Sequence, residues 1–503
     1  MNPRLARYFS QLKHLPFAML KGIAKSRVAL VGMVVSGLLL PVLLVSMFLD
    51  MRGLVENPYF GFLIYMVMGP LFVAGLLTVA VGLLLFRDQE EIGVYTLEYI
   101  REQMTMPGRF TRVRKLIYLS SFLTFLTILV IGVVSYTGFT YTESVRFCGQ
   151  FCHIVMEPEY ITYQNSAHSR VPCVDCHIGA NTGGFSNRQL TGIRMIFATL
   201  FNRFPRPIPT PISSLRPTQA ICEQCHRPEK FHGDKLYVKD GYLPDAANTH
   251  VQTVLLMRIG SGGFRGQVAQ GIHWHVSANH QTYYQEDPAQ PGIIGRIKMI
   301  DHDGAVVIYQ RGDNQQKSPA GEGRANYRLM DCLDCHNRPT HVFLSPDEAL
   351  DGKISTGAIP RELPFVKKLG LELVQQPYAG KEQARRQIAE GVETWYRRHY
   401  PDLEKTARRE LDKAAAGIFQ AWSENVFPEM RISWHTYGSR LGHRDETGCF
   451  RCHTAELVSR EGRVLPHDCN LCHVVLAERQ AAPDIMRILQ GNRTTEALNG
   501  KEF

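Results

Sequence analysis

Twelve cysteines and six histidines that follow them form the most informative pattern in this chain of 503 residues. Five copies of the pattern read Cys-X-X-Cys-His, and a sixth copy has three residues between its cysteines. In such a motif both thiols bond the porphyrin edge of c-type haem and the histidine ligates the iron. The pattern therefore predicts six covalently bound haem c groups and a role in electron transfer. The motifs are Cys148/Cys152/His153, Cys173/Cys176/His177, Cys222/Cys225/His226, Cys332/Cys335/His336, Cys449/Cys452/His453 and Cys469/Cys472/His473.

Paired cysteines could instead hold zinc or form disulfides. At the cysteine and histidine content of this chain, chance produces only about 0.01 Cys-X-X-Cys-His pentapeptides. All cysteines lie inside the six motifs, and zinc does not need a histidine after every second cysteine. Haem is therefore the favoured interpretation, also for the longer motif, whose spacer still brings two thiols to one porphyrin edge.

Three uncharged apolar segments lie in the first 142 residues, at about 28–49, 57–86 and 116–142. Twenty-two residues at 1.5 Å each extend about 33 Å, and the hydrocarbon core of a bilayer is about 30 Å thick. The first segment is long for a signal peptide and lacks a small-residue cleavage site before the second. The segments predict three transmembrane helices, the first being a retained anchor.

Basic residues predict the orientation of this anchor. Residues 1–27 hold six basic residues and no acidic one, and the loop after the second segment holds six more, whereas the loop after the first has only Arg52. The positive-inside rule places the N-terminus in the cytoplasm and everything after residue 142 outside it. Most of the formal net charge of +9 thus reflects orientation in a membrane, and no nucleic-acid surface is expected.

The external part alternates haem-rich and haem-free segments. The first haem-free stretch predicts strands, with a candidate at 251–259 and a hairpin of 296–300 and 305–309 around an Asp-Gly turn. The second predicts helices at 363–376, 380–399 and 403–423. The predicted fold is a three-helix membrane anchor followed by a loop-rich multihaem domain with a small β-rich insert and a helical insert. Its expected segments are 1–142 (anchor), 143–235 (three haems), 236–330 (β-rich), 331–345 (fourth haem), 346–428 (helical) and 429–503 (two haems).

A low-spin haem takes a second axial ligand, often His or Met. Twelve histidines outside the motifs fall on the external part, so about half must serve otherwise. His168, His341 and His443 rank highest because each lies within six residues of a motif. His273 and His275 lie two apart in a possible strand, where both would point to one face and serve neighbouring haems. His250 completes the expected distal ligands, whereas His302 and His399 are expected to be exposed.

The haem nearest the membrane has a different candidate. Met156 follows His153 by three residues, and a thioether ligand raises haem potential relative to a second imidazole. Met156 could equally well only pack against its neighbours. Both interpretations remain open from the sequence.

The chain resembles the membrane-anchored multihaem cytochromes of the NapC/NirT type. The resemblance rests on the membrane anchor, the haem motif directly after it with a nearby methionine, and Tyr163-Gln-Asn-Ser-Ala-His168 leading into Cys173–His177. Further segments, including Cys332–His341 and Gly271–Val276, resemble a longer inner-membrane variant of metal-respiring bacteria. The resemblance implies oxidation of quinol and transfer of its electrons to periplasmic acceptors.

This chain also departs from the short members of that family. They have one anchoring helix and four haems, and their first motif has two residues between its cysteines with methionine two after the histidine. The family's carboxylate beside the first haem, associated with the quinol site, would correspond to Asp175. The resemblance also puts Met156 forward as an axial ligand in place of His153.

Three functions are compatible with these residues. The first is a quinol dehydrogenase, with menaquinol as the expected substrate, with Glu143, Arg146 and Glu157 joining Asp175 at the quinol site and with periplasmic c-type cytochromes or reductases as partners. The second is a haem relay subunit of a larger membrane complex, for which the extra helices offer docking surface; a homo-oligomer is also compatible. The third is a terminal reductase, which needs an open haem iron.

Overall fold

The computed structural model divides the chain into two compact units. The first comprises Met1–His153 with Pro172–Val174, and the second comprises Ile154–Val171 with Asp175–Phe503. The first unit therefore continues past the predicted anchor boundary at residue 142. The structure describes residues 26–52, 54–55, 58–85, 110–151, 153–177, 194–195, 197–199, 201–210, 218–227, 233–260, 271–277, 279–287, 290–312, 327–443 and 448–489.

Three long apolar helices dominate the first unit, as the sequence predicts. Their parts that are apolar and long enough to cross a membrane are Arg27–Asp50, Phe60–Val79 and Thr124–Thr142. The first helix begins at Ser26, whose Oγ accepts the N–H of Ala29. The second is interrupted by a π-helical turn. The helices are α1 (Arg27–Met51), α2 (Pro58–Phe62), the π turn Leu63–Met68, α3 (Gly69–Leu85) and α4 (Phe110–Thr142).

Small residues let α1 and α3 approach closely. A Cβ atom on Gly82 would lie 2.4 Å from the backbone nitrogen of Ala29, and one on Gly75 would lie 2.4 Å from Oγ of Ser36. Ser26 Oγ also donates to the Gly82 carbonyl at 3.1 Å. Close backbone contact and interhelical hydrogen bonds hold helices together in lipid. Apolar side chains gain little free energy by packing against one another there, because the lipid tails that they leave are equally apolar.

Two small antiparallel sheets form in the second unit. One has the order β1-β2-β8 and the other β6-β3-β4-β5-β7. The predicted strand and hairpin are confirmed: β4 pairs with β5 from Ile300↔Val306 onward, and Gly304 adopts φ 83° in the turn. The strands are β1 (Lys235–Tyr242), β2 (His250–Met257), β3 (Gln281–Asp287), β4 (Gln290–Ile300), β5 (Val306–Arg311), β6 (Arg328–Leu329), β7 (Leu457–Ser459) and β8 (His473–Gln480).

The last strand was not expected from the sequence. β8 begins at the histidine of the sixth motif, and Met257 of β2 pairs with His473. β7, which follows the fifth motif, similarly pairs with β5. The β-rich insert therefore anchors both C-terminal haem motifs through main-chain hydrogen bonds.

A helical insert forms around its own apolar core. The three predicted helices are present, but the third is divided at Ala407. A helix at Pro346–Ser355, which begins with a Ser345/Glu348 capping box, was missed. Trp422, Tyr396 and Ile418 are at most 1% exposed. The helices are, after α5 (His153–Gln164), α6 (Cys173–His177), α7 (Thr218–Cys222) and α8 (Cys332–Cys335), α9 (Pro346–Ser355), α10 (Val366–Val374), α11 (Lys381–His399), α12 (Pro401–Thr406) and α13 (Arg408–Ser423).

Buried polar groups join the helical insert to the β-rich one. Lys367 is fully buried and pairs with Asp351, whose Oδ1 also accepts the Tyr242 N–H at 3.0 Å. Asn248 donates to the carbonyls of Arg361 and Leu363, both at 2.8 Å. Since buried charges and amides are costly without partners, these contacts fix the relative position of the two inserts within the second unit.

Candidate haem sites

Short helical turns hold the haem motifs. In the third, fourth and fifth motifs the backbone N–H of the histidine donates to the backbone carbonyl of the first cysteine, at 2.8, 2.8 and 3.0 Å. Such a turn gathers both sulfurs and the imidazole within one short segment, which is the donor set that c-type haem requires. The cysteines among the described residues are not joined in disulfides.

The longer first motif lies partly in a π-helical turn, Phe147–Phe151. A π turn contains more residues than an α turn, so it takes up the additional residue of this spacer. Cys152 lies outside the described residues, and for His153 the structure describes only the backbone. The Cys148 N–H donates to the Ser144 carbonyl at 3.1 Å.

The motif thiols lie beside one another in the order of the sequence. Within the first unit, the thiol of Cys148 is hydrogen-bonded to that of Cys173. Within the second unit, the thiols of Cys222 and Cys332 form a hydrogen bond, and the electrostatic field of Cys176 reaches Cys222. The next neighbours in the second unit are Cys335 with Cys449 and Cys452, then Cys449 with Cys472.

Cys225 and Cys469 disagree with the picture of haem-attachment thiols sheltered against a macrocycle. Both are exposed, whereas the other cysteines that the structure describes are partly buried. In the third motif the Cys225 N–H donates to the Cys222 carbonyl at 3.2 Å, and Cys222 is the thiol that meets Cys332. The turn thus directs one cysteine inward and leaves Cys225 at the surface. Attachment of haem through Cys225 stays a prediction from its motif, and it would place one porphyrin edge at the surface.

Four motif histidines face a histidine from outside the motifs. In each pair the two imidazole rings are neighbours that come from different segments of the chain. The distances between ring centroids are 6.0 Å for His226 and His168, 6.2 Å for His177 and His341, 5.7 Å for His453 and His275, and 6.1 Å for His473 and His443.

These separations match two axial ligands on one iron. Metal–imidazole bonds of about 2.0 Å, with each centroid about 1.2 Å beyond its nitrogen, place two opposed rings about 6.3 Å apart. The measured range is 5.7 to 6.2 Å. The residues present therefore fit haem with two histidine ligands at these four motifs.

The fifth pair involves His336 of the fourth motif. Burial lowers the pKa of His336, and the nearby rings of His273 and His226 lower it further. His226 already faces His168, so His273 is the partner available to His336. Neutral imidazole is the form that binds metal, and the depressed pKa favours it.

Hydrogen bonds orient the distal rings. Through Nδ1, four of them contact backbone carbonyls, which leaves Nε2 with the lone pair that a metal needs. An imidazole held in this way through its second nitrogen is typical of metal ligands. The bonds are His168 to Pro339 at 3.3 Å, His273 to Ile259 at 3.0 Å, His275 to Ile272 at 2.7 Å and His341 to Glu159 at 2.9 Å.

Proximity in sequence does not select the partner. His168 precedes the second motif but faces the third, His341 follows the fourth but faces the second, and His443 precedes the fifth but faces the sixth. A motif histidine would hold one side of its haem, so a residue a few positions away in sequence is poorly placed to reach the opposite side. The histidine for that side comes instead from a segment that is distant in sequence.

The expected strand around His273 and His275 was wrong. Ile272–Val276 is a 3₁₀ helix, in which residues two apart do not share a face because successive residues turn by about 120°. His275 accordingly faces His453, and His273 lies near enough to His336 to lower the pKa of that histidine. One short turn thereby lies near two motifs, and ligation of two haems by these histidines stays a prediction.

Other histidines make contacts of a different kind. His250 does not face a motif histidine in the described structure: its Nε2 lies 2.7 Å from Asp240 Oδ1 and its ring packs on Tyr242. His302 is exposed beside Asp301 in the hairpin turn, as expected. His399 stacks on Trp395 at the end of α11 and bonds that residue's carbonyl.

Burial shapes the electrostatics of the motif thiols and distal imidazoles. It raises the pKa of the Cys335 thiol to about 12 and that of Cys452 to about 11, with charged neighbours contributing less. It lowers the pKa of His275 and His341. These thiols and imidazoles are therefore uncharged at neutral pH, which suits an apolar macrocycle.

The residues expected at a quinol site fall on both units. Arg146 of the first unit pairs with Asp50 at 3.4 Å, and Glu143 lies in the same turn after α4. In the second unit Glu157 pairs with Lys381 at 2.6 Å, whereas Asp175 is exposed. Asp50 was missed by the sequence analysis, although it is the charge that ends the first apolar segment.

Met156 belongs to an apolar cluster of the second unit. It is partly buried and packs with Val155, Phe427, Met430 and Ile432. These contacts support the packing role that the sequence left open.

Comparison with known proteins gives two matches. The model of the NapC/NirT cytochrome c family, N-terminal region, matches residues 111–207. The cytochrome c-type protein ImcH of Geobacter sulfurreducens is 34% identical over 455 residues, which cover 90% of this chain and 88% of that protein. No solved structure matches.

Proposed function

The chain belongs to the NapC/NirT family of membrane cytochromes c, and we propose that it is a hexahaem protein that oxidises menaquinol and passes the electrons to periplasmic acceptors. Electron transfer at a membrane is the general role of such a cytochrome. The proposal adds the number of haems, the donor and the destination of the electrons.

The pairing of motif histidines with distal histidines carries this proposal. His168, His273, His275, His341 and His443 are assigned as the sixth ligands of five irons. An iron with two histidine ligands is suited to pass electrons, because no coordination position is left for a substrate. This argues against a terminal reductase, which needs such a position.

Adjacent thiols support a relay in sequence order. Cys176, Cys222 and Cys332 are consecutive neighbours, and Cys335, Cys449 and Cys472 continue the series. Since each thiol is the attachment point of a porphyrin edge, the macrocycles of successive motifs must lie close together. We assign the motif at Cys469–His473 as the exit end for electrons.

The membrane-proximal motif is assigned as the entry point. Quinol is a lipid, so its oxidation requires a motif next to the membrane, and Cys148 follows the end of α4 by six residues. When bound there, haem supplies a one-electron acceptor. Glu143, Arg146, Glu157 and Asp175 are the polar groups proposed for the quinol site.

The topology proposed from the basic residues fits this direction of flow. The N-terminus would lie in the cytoplasm and all six motifs in the periplasm of a bacterial inner membrane. Residues 1–25 and 86–109, which hold most of these basic residues, lie outside the described part of the chain. Periplasmic c-type cytochromes or reductases are then the accessible acceptors.

Stopped-flow reduction of the purified, oxidised full chain tests the proposal. Menadiol is mixed with the protein in detergent and the haem α-band is followed, with and without the quinol-site inhibitor 2-heptyl-4-hydroxyquinoline N-oxide. We expect prompt reduction that the inhibitor slows. A haemochrome assay on the same sample should give six haems per chain.

Two results would favour the alternatives. Absence of reduction by menadiol, while dithionite reduces every haem, would make the chain a relay subunit that receives electrons from a separate quinol-oxidising partner. High-spin signals from more than one iron per chain in the electron paramagnetic resonance spectrum would reveal open irons beyond that of the first motif, to which no distal ligand is assigned, and would revive the reductase function.

A further inference from the structure

A polar cluster of the first unit joins the first and second membrane spans to the segment that follows the third. Tyr65 Oη donates to Asp50 Oδ2 at 3.1 Å. Arg146 Nη1 lies 3.4 Å from Asp50 Oδ1, and its Nη2 donates to the Val55 carbonyl at 3.0 Å. The Asp50 carboxylate is thus held by one residue from the second span and one from the segment after the third.

These groups are mostly shielded by protein. The Asp50 side chain is 12% exposed and that of Arg146 is 29% exposed, and Tyr65 as a whole is 6% exposed. Asp50 is the last residue of the first apolar span and Tyr65 lies within the second. Ionisable residues within membrane spans that are shielded by protein commonly mark paths for ions, protons or substrates.

The backbone around Tyr65 departs from a regular α-helix. Tyr65 lies inside the π turn Leu63–Met68, where the helix holds more residues per turn. Such π turns inside α-helices are found frequently at functional sites because they redirect side chains. Here the turn is the part of the second span that presents a tyrosine hydroxyl to Asp50.

Aromatic rings extend this cluster toward the first haem motif. Phe151, inside that motif, stacks on Phe62 with ring centroids 4.3 Å apart, and its ring is parallel to that of Phe147 at 5.5 Å. Tyr141 meets Phe147 edge to face at 5.5 Å. Gly61 makes room for the Tyr141 ring, since a Cβ there would lie 2.4 Å from that ring. Flat apolar rings beside a carboxylate suit a lipid quinol headgroup.

We propose that Asp50, positioned by Tyr65 and Arg146, is the proton acceptor of the quinol site in this chain. The inference rests on the proposed function. Oxidation of one quinol breaks two O–H bonds and yields quinone, two protons and two electrons. The first proton goes to the Asp50 carboxylate and from there to solvent, the second to solvent, and the two electrons reduce two ferric haems, one each.

Asp50 could alternatively serve only to tie the first span to the segment after the third. Asp50→Asn separates these roles. The amide has the size of the carboxylate and can still accept the hydrogen bond from Tyr65, but it is not a base and cannot take up a proton from quinol. Asp50→Glu restores a carboxylate at nearly the same place.

The test compares these variants as full-length holoproteins in detergent. Loss of a general base typically costs about 10²- to 10⁴-fold, so we expect reduction of Asp50→Asn by menadiol to slow by about 100-fold. Asp50→Glu should recover to within about tenfold of the original rate. Reduction by dithionite, which needs no proton acceptor, should be unchanged in both.

Two further readouts distinguish a proton acceptor from a structural residue. Binding of 2-heptyl-4-hydroxyquinoline N-oxide, followed by its fluorescence quenching, should change by less than about threefold in Asp50→Asn, because the site remains assembled. The second readout is the recovery of the menadiol rate in Asp50→Glu, because only a role of the carboxylate is restored by that variant.

Ser26→Ala is the matched control at the opposite end of the spans. It removes an interhelical hydrogen bond between α1 and α3 without touching the cluster, so the menadiol rate should stay unchanged. If Asp50→Asn fails to assemble, Tyr65→Phe carries the test, with an expected loss of about three- to tenfold since one positioning hydrogen bond is removed.

Three outcomes would overturn the inference. The first is an unchanged rate of reduction by menadiol in Asp50→Asn. The second is an equal fall in the rates of reduction by menadiol and by dithionite in that variant. The third, if Asp50→Asn does not assemble, is an unchanged menadiol rate in Tyr65→Phe. If the original protein is not reduced by menadiol at all, the proposed function fails and this inference fails with it. If menadiol reduces the variants as fast as the original protein, the proposed function stands and only the role of Asp50 is refuted.

Discussion

At the scale of single residues, the two nitrogens of each histidine decide what it can do. His275 gives Nδ1 to the Ile272 carbonyl and turns its ring toward His453. His250 instead has its Nε2 beside the Asp240 carboxylate. The ring of His250 lies against Tyr242 and not against a motif histidine in the described structure. Because a distal ligand must lie opposite a motif histidine, the neighbour that each ring faces separates the proposed distal ligands from other histidines more sharply than sequence spacing does.

His275→Met should change one haem and leave the others. A thioether replaces an imidazole opposite His453, so we expect one haem potential to rise while the number of attached haems stays the same. A spectroelectrochemical titration of the purified protein, with a haemochrome assay, measures both quantities.

His250→Ala is the matched control for this variant. His250 contacts Asp240 and Tyr242 and is not assigned as a ligand, so its removal should leave every haem potential in the titration unchanged. An unchanged curve for His275→Met, or a similar shift for both variants, would show that His275 is not a ligand.

At the scale of elements, a β-strand and a cap hold the fourth haem motif. The turn Cys332–Cys335 is too short to be stable alone. Asp331 caps it, and Asp334, inside the motif, accepts the Asp331 N–H through Oδ2 at 2.7 Å. Tyr284 of β3 donates to Asp334 Oδ1 at 2.7 Å. The β-rich insert thus serves as a clamp for a haem-binding turn.

Asp334→Ala should loosen this clamp. The substitution removes a cap bond and leaves the buried Tyr284 hydroxyl without its partner, which together should lower the free energy of unfolding by about 2–3 kcal/mol. Denaturant unfolding of the holoprotein measures the change, and haem content reports attachment at Cys332 and Cys335.

Glu223→Ala provides the comparison, because Glu223 lies directly after the first cysteine of the third motif and is exposed. A surface change of this kind usually stays within about 0.5 kcal/mol. Equal effects of the two substitutions would contradict the role given to Asp334.

At the scale of the whole molecule, the chain combines segments whose packing is expected to depend on bound haem with segments that have an apolar core of their own. The helical insert packs around Trp422, Tyr396 and Ile388, which are at most 1% exposed, and so has a core of its own. The motif segments are short turns that carry the imidazoles and thiols expected to hold the macrocycles. Each proposed distal histidine faces a motif from another part of the sequence, so bound haems would also cross-link distant parts of the chain.

Topology is the prediction that belongs to this scale. We expect alkaline phosphatase fused after Phe503 to be active and the same enzyme fused within residues 87–109 to be inactive, because only the former would lie in the periplasm. Activity of cells carrying each fusion, normalised to fusion abundance, measures this. The reverse pattern would place the haem motifs in the cytoplasm and contradict the proposed direction of flow.

The sequence by itself determined the cofactor chemistry and the membrane anchor. Both signals are local: a haem motif occupies five or six consecutive residues, and a span is recognised from about twenty apolar residues in a row. Helices such as Lys381–His399 and the hairpin around Gly304 were also predictable, since their periodicity and turn residues are local.

Only the tertiary structure decided which residues meet. His168 faces His226 and His341 faces His177 across long stretches of chain, and Asp50 meets Arg146, 96 residues away. Such pairs depend on how turns and helices pack, and a single sequence carries no periodic or compositional sign of them. The 3₁₀ turn at Ile272–Val276 was likewise misjudged, because tertiary contacts overrode its strand-like composition.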